Sequence, residues 1–119
     1  MVDLFKRERL ESIRDSIGVL GIYMNKVHSI SDLDTSSGSI VYDALLMRLH
    51  LIGENLKILL QSNPCLFDSM KFEVSYIIGF RDMSDVYKKQ TPEIIFDICT
   101  QYIPVLKIKI DTLLSNPDE

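Results

Sequence analysis

The segment formed by residues 45–59, LLMRLHLIGENLKIL, decides how the rest of the chain is interpreted. Its apolar residues recur at alternating steps of three and four, the spacing that keeps side chains on one face of an α-helix. The residues with this spacing are Leu45, Leu49, Ile52, Leu56 and Leu59. Because Pro64 disfavours helical geometry in Asn63, the sequence predicts a helix over residues 38–62.

The same spacing predicts a helix on the N-terminal side and indicates a further element after Pro64. A first helix is predicted over residues 3–28 from Leu10, Ile13, Ile17, Leu20, Met24 and Val27. Residues 29–38 are rich in serine, aspartate and glycine, which favour turns, so they are predicted to connect the two helices. The segment from Phe67 to Met83 is so densely apolar that it fits a helix or a buried strand. The neighbouring helices favour a helix.

A fourth helix is predicted from Thr91-Pro92-Glu93, which supplies an N-cap hydroxyl, a proline at the first helical position and a carboxylate facing the helix dipole. Pro104 lacks an N–H group and is expected to bend this helix. Four amphipathic helices with short connections bury their apolar faces most simply as an antiparallel up-and-down four-helix bundle. We therefore expect an all-α fold and one domain over residues 1–119.

Composition excludes several classes of protein. The chain of 119 residues has a formal net charge of −4, so it has no overall attraction to polyanions. Charges interrupt the N-terminal residues and no apolar segment is long enough to span a bilayer, which predicts a cytoplasmic protein. Cys65 and Cys99 stand apart from any metal-ligand pattern and are expected to be reduced thiols. No cofactor motif or metal site is predicted.

The candidate site is the segment GFRDMSDVYKK, residues 79–89, which gathers an arginine, two carboxylates, a phenol and two lysines near one helix end. By itself the pattern has an ordinary structural explanation. Arg81 and Asp85 are four residues apart and would form a surface ion pair contributing about 0.2–0.5 kcal/mol. Tyr87 would pack its ring at the helix end and leave its hydroxyl in water.

Three segments, taken in order, point to a more specific interpretation. Residues 42–54, YDALLMRLHLIGE, are similar to a pattern DA…L…IGEA, with Asn55 standing where alanine is usual. Residues 77–82, IIGFRD, are similar to IIGMRD, and residues 93–106, EIIFDICTQYIPVL, contain the internal proline of a characteristic last helix. Together these segments resemble the HepT-like branch of the HEPN superfamily, small helical proteins encoded beside MNT-type nucleotidyltransferases as toxin and antitoxin.

The resemblance implies a metal-independent endoribonuclease that works as a homodimer with one motif from each subunit in a shared cleft. In the family motif R-x-x-x-x-H-x-Y, arginine steadies the scissile phosphate and histidine moves the proton during attack by the RNA 2′-hydroxyl. Arg81 and Tyr87 match the arginine and the tyrosine. The present motif is one residue shorter and lacks the histidine, and Asp85 stands two residues before Tyr87.

The loss of the histidine bears directly on catalysis. A general acid or base works best with a pKa near the operating pH, whereas an aspartate usually titrates near ~3.9. Arg81 would lower the pKa of Asp85 further, and a carboxylate in the cleft would repel the RNA backbone unless Lys88 and Lys89 compensate. His50 is a displaced candidate for acid–base catalysis, although it lies on a different helix and an isolated histidine is more often a packing residue.

Two further roles follow from the resemblance. The partner nucleotidyltransferase of some family members attaches AMP units to the motif tyrosine, so Tyr87 is a candidate acceptor. Glu54, in the IGE pattern of the second helix, would orient Arg81 or else simply face solvent. The competing hypotheses are a ribonuclease toxin, a catalytically inactive binding partner of a nucleotidyltransferase, and a helical interaction module unrelated to RNA.

Overall fold

The computed structural model describes residues 3–33, 40–87 and 92–115, with side chains described outside residues 81–87. Every regular element in these ranges is helical, which confirms the predicted all-α class and the helical interpretation of the third segment. No helix within the described ranges is both long and apolar enough to cross a membrane.

The first helix, α1 (Leu4–Met24), starts where a side chain can cap it. The Asp3 carboxylate accepts a hydrogen bond from the Lys6 backbone N–H at 3.1 Å, as expected of an aspartate N-cap. The predicted end at residue 28 was wrong, because α1 ends at Met24 and a short 3-10 helix, Ile30–Leu33, follows. Between them the Asp32 carboxylate accepts the backbone N–H of His28 at 2.7 Å, which stabilises a turn in place of a further helical turn.

The second helix, α2 (Ile40–Ser62), ends at the predicted residue, whereas its predicted start at residue 38 lies outside the described residues. A 3-10 turn, Asp68–Met70, leads into α3 (Lys71–Tyr87). Both α1 and α3 pack against α2. The segment that decides the fold is therefore central to the described core.

The fourth helical segment is continuous but changes its winding. It comprises α4 (Pro92–Asp97), a π-helix (Ile98–Tyr102) and α5 (Ile103–Ser115). Pro104 explains the change, because its ring clashes with the carbonyl group four residues earlier and it donates no hydrogen bond. The Ile103 N–H instead bonds to the Ile98 carbonyl, five residues back, and one wide turn accommodates the proline. Pro92 begins the helix as predicted, while Thr91 lies outside the described residues.

The core is built from the apolar faces that the spacing predicted. Its central side chains are fully buried and come from four helical segments, including Ile13, Leu45, Leu49, Ile52, Leu56, Leu59, Ile77, Ile95, Leu106 and Ile110. At about 25 cal/mol per Å² of apolar surface removed from water, this burial is the main favourable term in folding. The contact of α5 with α1 brings the last helix against the first.

Candidate functional site

The motif residues occupy the last turns of α3, which runs without a break to Tyr87. The side chains of Arg81, Asp85 and Tyr87 lie outside those that the structure describes, and Lys88 lies wholly outside the described residues. The backbone of the motif is therefore helical, as predicted, and its side-chain chemistry remains a hypothesis from the sequence.

The described part of the site is the contact between α2 and the start of the motif. The half-buried ring of His50 meets the Phe80 ring edge to face, with 6.1 Å between ring centroids and 64° between ring planes. Phe80, the residue directly before Arg81, is buried in the core. The packing of α2 on α3 thus places the only histidine on α2 beside the first residues of the motif, although the two are distant in sequence.

Glu54 lies one helical turn after His50 and is exposed. It forms no hydrogen bond or ion pair with another side chain in the described ranges. The predicted role of Glu54 in orienting Arg81 involves a side chain that is not described, and it remains a prediction.

A buried polar contact between α1 and α2 was not predicted. Asn55 is only 6% exposed, and its carbonyl oxygen accepts a hydrogen bond from Arg9 Nη1 at 3.1 Å. Its amide nitrogen donates to Ser12 Oγ at 3.3 Å and to the Leu51 carbonyl at 3.0 Å. The signal was present in the sequence, since Asn55 is a polar residue at a position that continues the apolar face of α2.

Sequence analysis also missed an aromatic cluster, formed by Phe72 and Tyr76 of α3 and by Tyr102 of the π-helix. The two tyrosine rings lie 4.9 Å apart, and Phe72 lies 6.1 Å from each of them. Aromatic residues four apart on one helix signal part of this cluster. The contribution of Tyr102 depends on the π-helix and could not be read from α-helical spacing.

A third feature is an apolar groove of about 320 Å³ between α1 and α5. Cys99 contributes to its lining, and burial raises the pKa of the Cys99 thiol to about 12. A thiol held neutral in this way is a poor nucleophile and a poor metal ligand, since both roles require the thiolate. Cys65 is exposed and is likewise not disulfide-bonded, which agrees with the expectation of free thiols.

Within the described ranges, no three histidine, cysteine, aspartate or glutamate side chains are close enough together to hold a metal ion. Comparisons of the chain with protein-family models, with curated proteins and with solved structures found no match. The functional interpretation consequently depends on the motif segments and on the contacts around them.

Proposed function

We propose that this chain is a HepT-like endoribonuclease, the toxin of a pair whose antitoxin is an MNT-type nucleotidyltransferase. In this proposal the helices form an antiparallel up-and-down bundle, and two chains form a homodimer in the cytoplasm. Arg81 binds the scissile RNA phosphate, and catalysis requires no metal ion.

The observation that carries the proposal is the contact of α2 with α3. These two helices hold the two best-matched segments, which are separated in sequence, and the His50–Phe80 ring contact joins them next to Arg81. A ribonuclease site of this kind needs a phosphate-binding cation close to a group that can transfer a proton. The internal proline of the last helix, present here as Pro104, agrees with the same resemblance.

The reaction is a transesterification within the RNA. The 2′-oxygen attacks the adjacent phosphorus, the bond from phosphorus to the 5′-oxygen breaks, and the products are a 2′,3′-cyclic phosphate and a 5′-hydroxyl. One proton leaves the 2′-hydroxyl and one is delivered to the departing 5′-oxygen. Arg81 stabilises the negative charge that develops on the phosphate oxygens.

Two residues are candidates for the group that transfers the proton. Asp85 occupies the motif position but requires a raised pKa in a place where Arg81 would lower it. His50 carries an imidazole, the side chain that most often serves as a general acid or base, and its ring contacts Phe80. If Asp85 transfers the proton, Asp85→Asn should be inactive. If His50 does so, His50→Ala should be inactive.

The test is cleavage of a labelled single-stranded RNA by the purified chain in the presence of EDTA. Arg81→Ala is compared with Arg14→Ala, which removes an exposed arginine of α1 paired only with Glu11 in the described ranges. We expect the wild type and Arg14→Ala to cut equally, and Arg81→Ala to lose roughly 10²–10³-fold in rate, as when one transition-state donor is removed.

The same assay with His50→Ala and Asp85→Asn identifies the proton carrier. Loss of the carrier is expected to cost roughly 10²–10⁴-fold in rate, whereas loss of the other residue leaves cleavage near the wild-type value. If the wild type does not cut and Asp85→His restores cleavage, the chain is a catalytically inactive partner of the nucleotidyltransferase. The missing motif histidine favours this second function.

Tyr87 is the proposed acceptor of AMP in either case. Incubation with the cognate nucleotidyltransferase and ATP should add AMP units to the wild type and none to Tyr87→Phe, as measured by mass spectrometry. Tyr23→Phe is the matched control, because this tyrosine lies on α1 and is not part of the motif.

A further inference from the structure

The aromatic cluster of Phe72, Tyr76 and Tyr102 is a surface feature that the ribonuclease proposal does not use. Phe72 is 67% exposed, and its ring contacts two other aromatic rings. Its ring stands at 90° to that of Tyr102, and the two tyrosine rings meet at 73°. Edge-to-face packing of this kind holds the rings in place and leaves a ring face available.

Two carboxylates, those of Asp97 and Glu73, lie close to this cluster. Residues five apart stack along a π-helix, so the turn from Ile98 to Tyr102 brings Tyr102 close to Asp97. Glu73 follows Phe72 directly on α3 and is half-buried. Two helical segments from different parts of the sequence thereby place two carboxylates near Tyr102.

The pKa of the Tyr102 phenol reflects these surroundings. Partial burial raises this pKa, and the neighbouring Tyr76 phenol and the Asp97 and Glu73 carboxylates raise it further. Among the described residues, neither Glu73 nor Asp97 forms an ion pair. The nearby Lys71 pairs with Asp68 at 3.7 Å. The rings and the two carboxylates together form a partly apolar surface, and within the described ranges neither carboxylate has an ion-pair partner.

We propose that this aromatic–carboxylate surface binds an arginine side chain of a partner protein. A guanidinium group stacks on an exposed aromatic face and donates paired hydrogen bonds to a carboxylate. The chain already uses this chemistry internally, where the Arg9 guanidinium lies 5.1 Å from the centre of the Phe5 ring. Nucleic acid is disfavoured here, because the carboxylates repel phosphate groups. The proposal does not depend on ribonuclease activity.

The test uses the full-length protein and the peptide Gly-Arg-Gly-Arg-Gly, with the same peptide carrying citrulline in place of arginine as the uncharged control. Binding is followed by NMR shifts of the tyrosine ring protons. The variants are Phe72→Ala, which removes an exposed ring, and Asp97→Asn, which removes a charge. Asp15→Asn is the matched control, since Asp15 is an exposed carboxylate of α1.

We expect the arginine peptide to shift the Tyr76 and Tyr102 resonances and the citrulline peptide to leave them unchanged. Phe72→Ala should weaken binding roughly 2–5-fold, the value of an exposed cation–π contact. Asp97→Asn should weaken it roughly 1.5–5-fold, the value of an exposed ion pair, while Asp15→Asn binds as the wild type does. Equal binding of the two peptides, no binding, or binding unaffected by both cluster variants would overturn the proposal. So would a shift of the same resonances by a single-stranded RNA added without the peptide.

Discussion

Replacement of Asn55 by alanine tests whether the buried polar contact between α1 and α2 stabilises the fold. The substitution removes the acceptor for Arg9 Nη1 and the donor to Ser12 Oγ. A hydrogen bond to a charged group contributes about 1.5–3 kcal/mol and a neutral one about 0.5–1.5 kcal/mol. Because Arg9 is half-buried and recovers some water, we expect Asn55→Ala to lower the free energy of unfolding by about 2–3 kcal/mol.

Urea unfolding followed by circular dichroism measures this change. Asn25→Ala is the matched control, because Asn25 is exposed and its removal should stay within about 0.5 kcal/mol. Since Arg9 also contacts the Phe5 ring, Arg9→Ala alone would report two interactions. The variant carrying both Arg9→Ala and Asn55→Ala completes a double-mutant cycle. We expect a coupling free energy of about 1–2 kcal/mol between Arg9 and Asn55. A coupling near zero, or a loss below about 0.5 kcal/mol for Asn55→Ala, would refute the argument.

Three further predictions concern the core, the thiols and the aromatic cluster. Leu49→Ala, at a fully buried position, should lower the free energy of unfolding by about 2–5 kcal/mol in the same urea assay, and a smaller loss would contradict the core assignment. At neutral pH a thiol reagent should modify Cys65 alone in the native protein and both cysteines after unfolding. Burial raises the pKa of the Cys99 thiol from 9.0 to about 12, so its contribution to stability is fully present below pH 9.0 and is lost as pH rises through about 12. Asp97→Asn should lower the pKa of the Tyr102 phenol in an NMR titration of its assigned ring resonances, because it removes one of the negative charges that raise this pKa, and an unchanged pKa would contradict the proximity of the two residues.

The sequence predicted the helices wherever apolar spacing was regular and failed where a local interaction decided the outcome. The end of α1 is an example, since Val27 continues the apolar spacing and is buried, but the Asp32 carboxylate holds the residues around His28 in a turn. Pro104 was expected to bend the last helix, and a π-helix precedes it in the structure. The form of the disturbance, a π-helix, depends on which carbonyl group accepts the Ile103 N–H, and apolar spacing carries no information about that.

The candidate site was predicted from motif similarity, and the structure adds one contact to it. The ring contact of His50 with Phe80 depends on how α2 and α3 pack. The apolar spacing along each helix does not specify which residues of the two helices are in contact. The aromatic cluster escaped prediction for the same reason, since Tyr102 joins Phe72 and Tyr76 from another part of the chain. Contacts between helices, unlike positions along one helix, require the folded structure.

The most direct test of the central claim is the chemistry of the RNA ends after incubation with the wild type and Arg81→Ala in the presence of EDTA. Attack by the 2′-hydroxyl predicts fragments ending in a 2′,3′-cyclic phosphate and a 5′-hydroxyl, formed by the wild type and nearly absent with Arg81→Ala. Fragments with 5′-phosphate ends, cleavage that EDTA abolishes, or equal cleavage by the two proteins would contradict a metal-independent ribonuclease centred on Arg81.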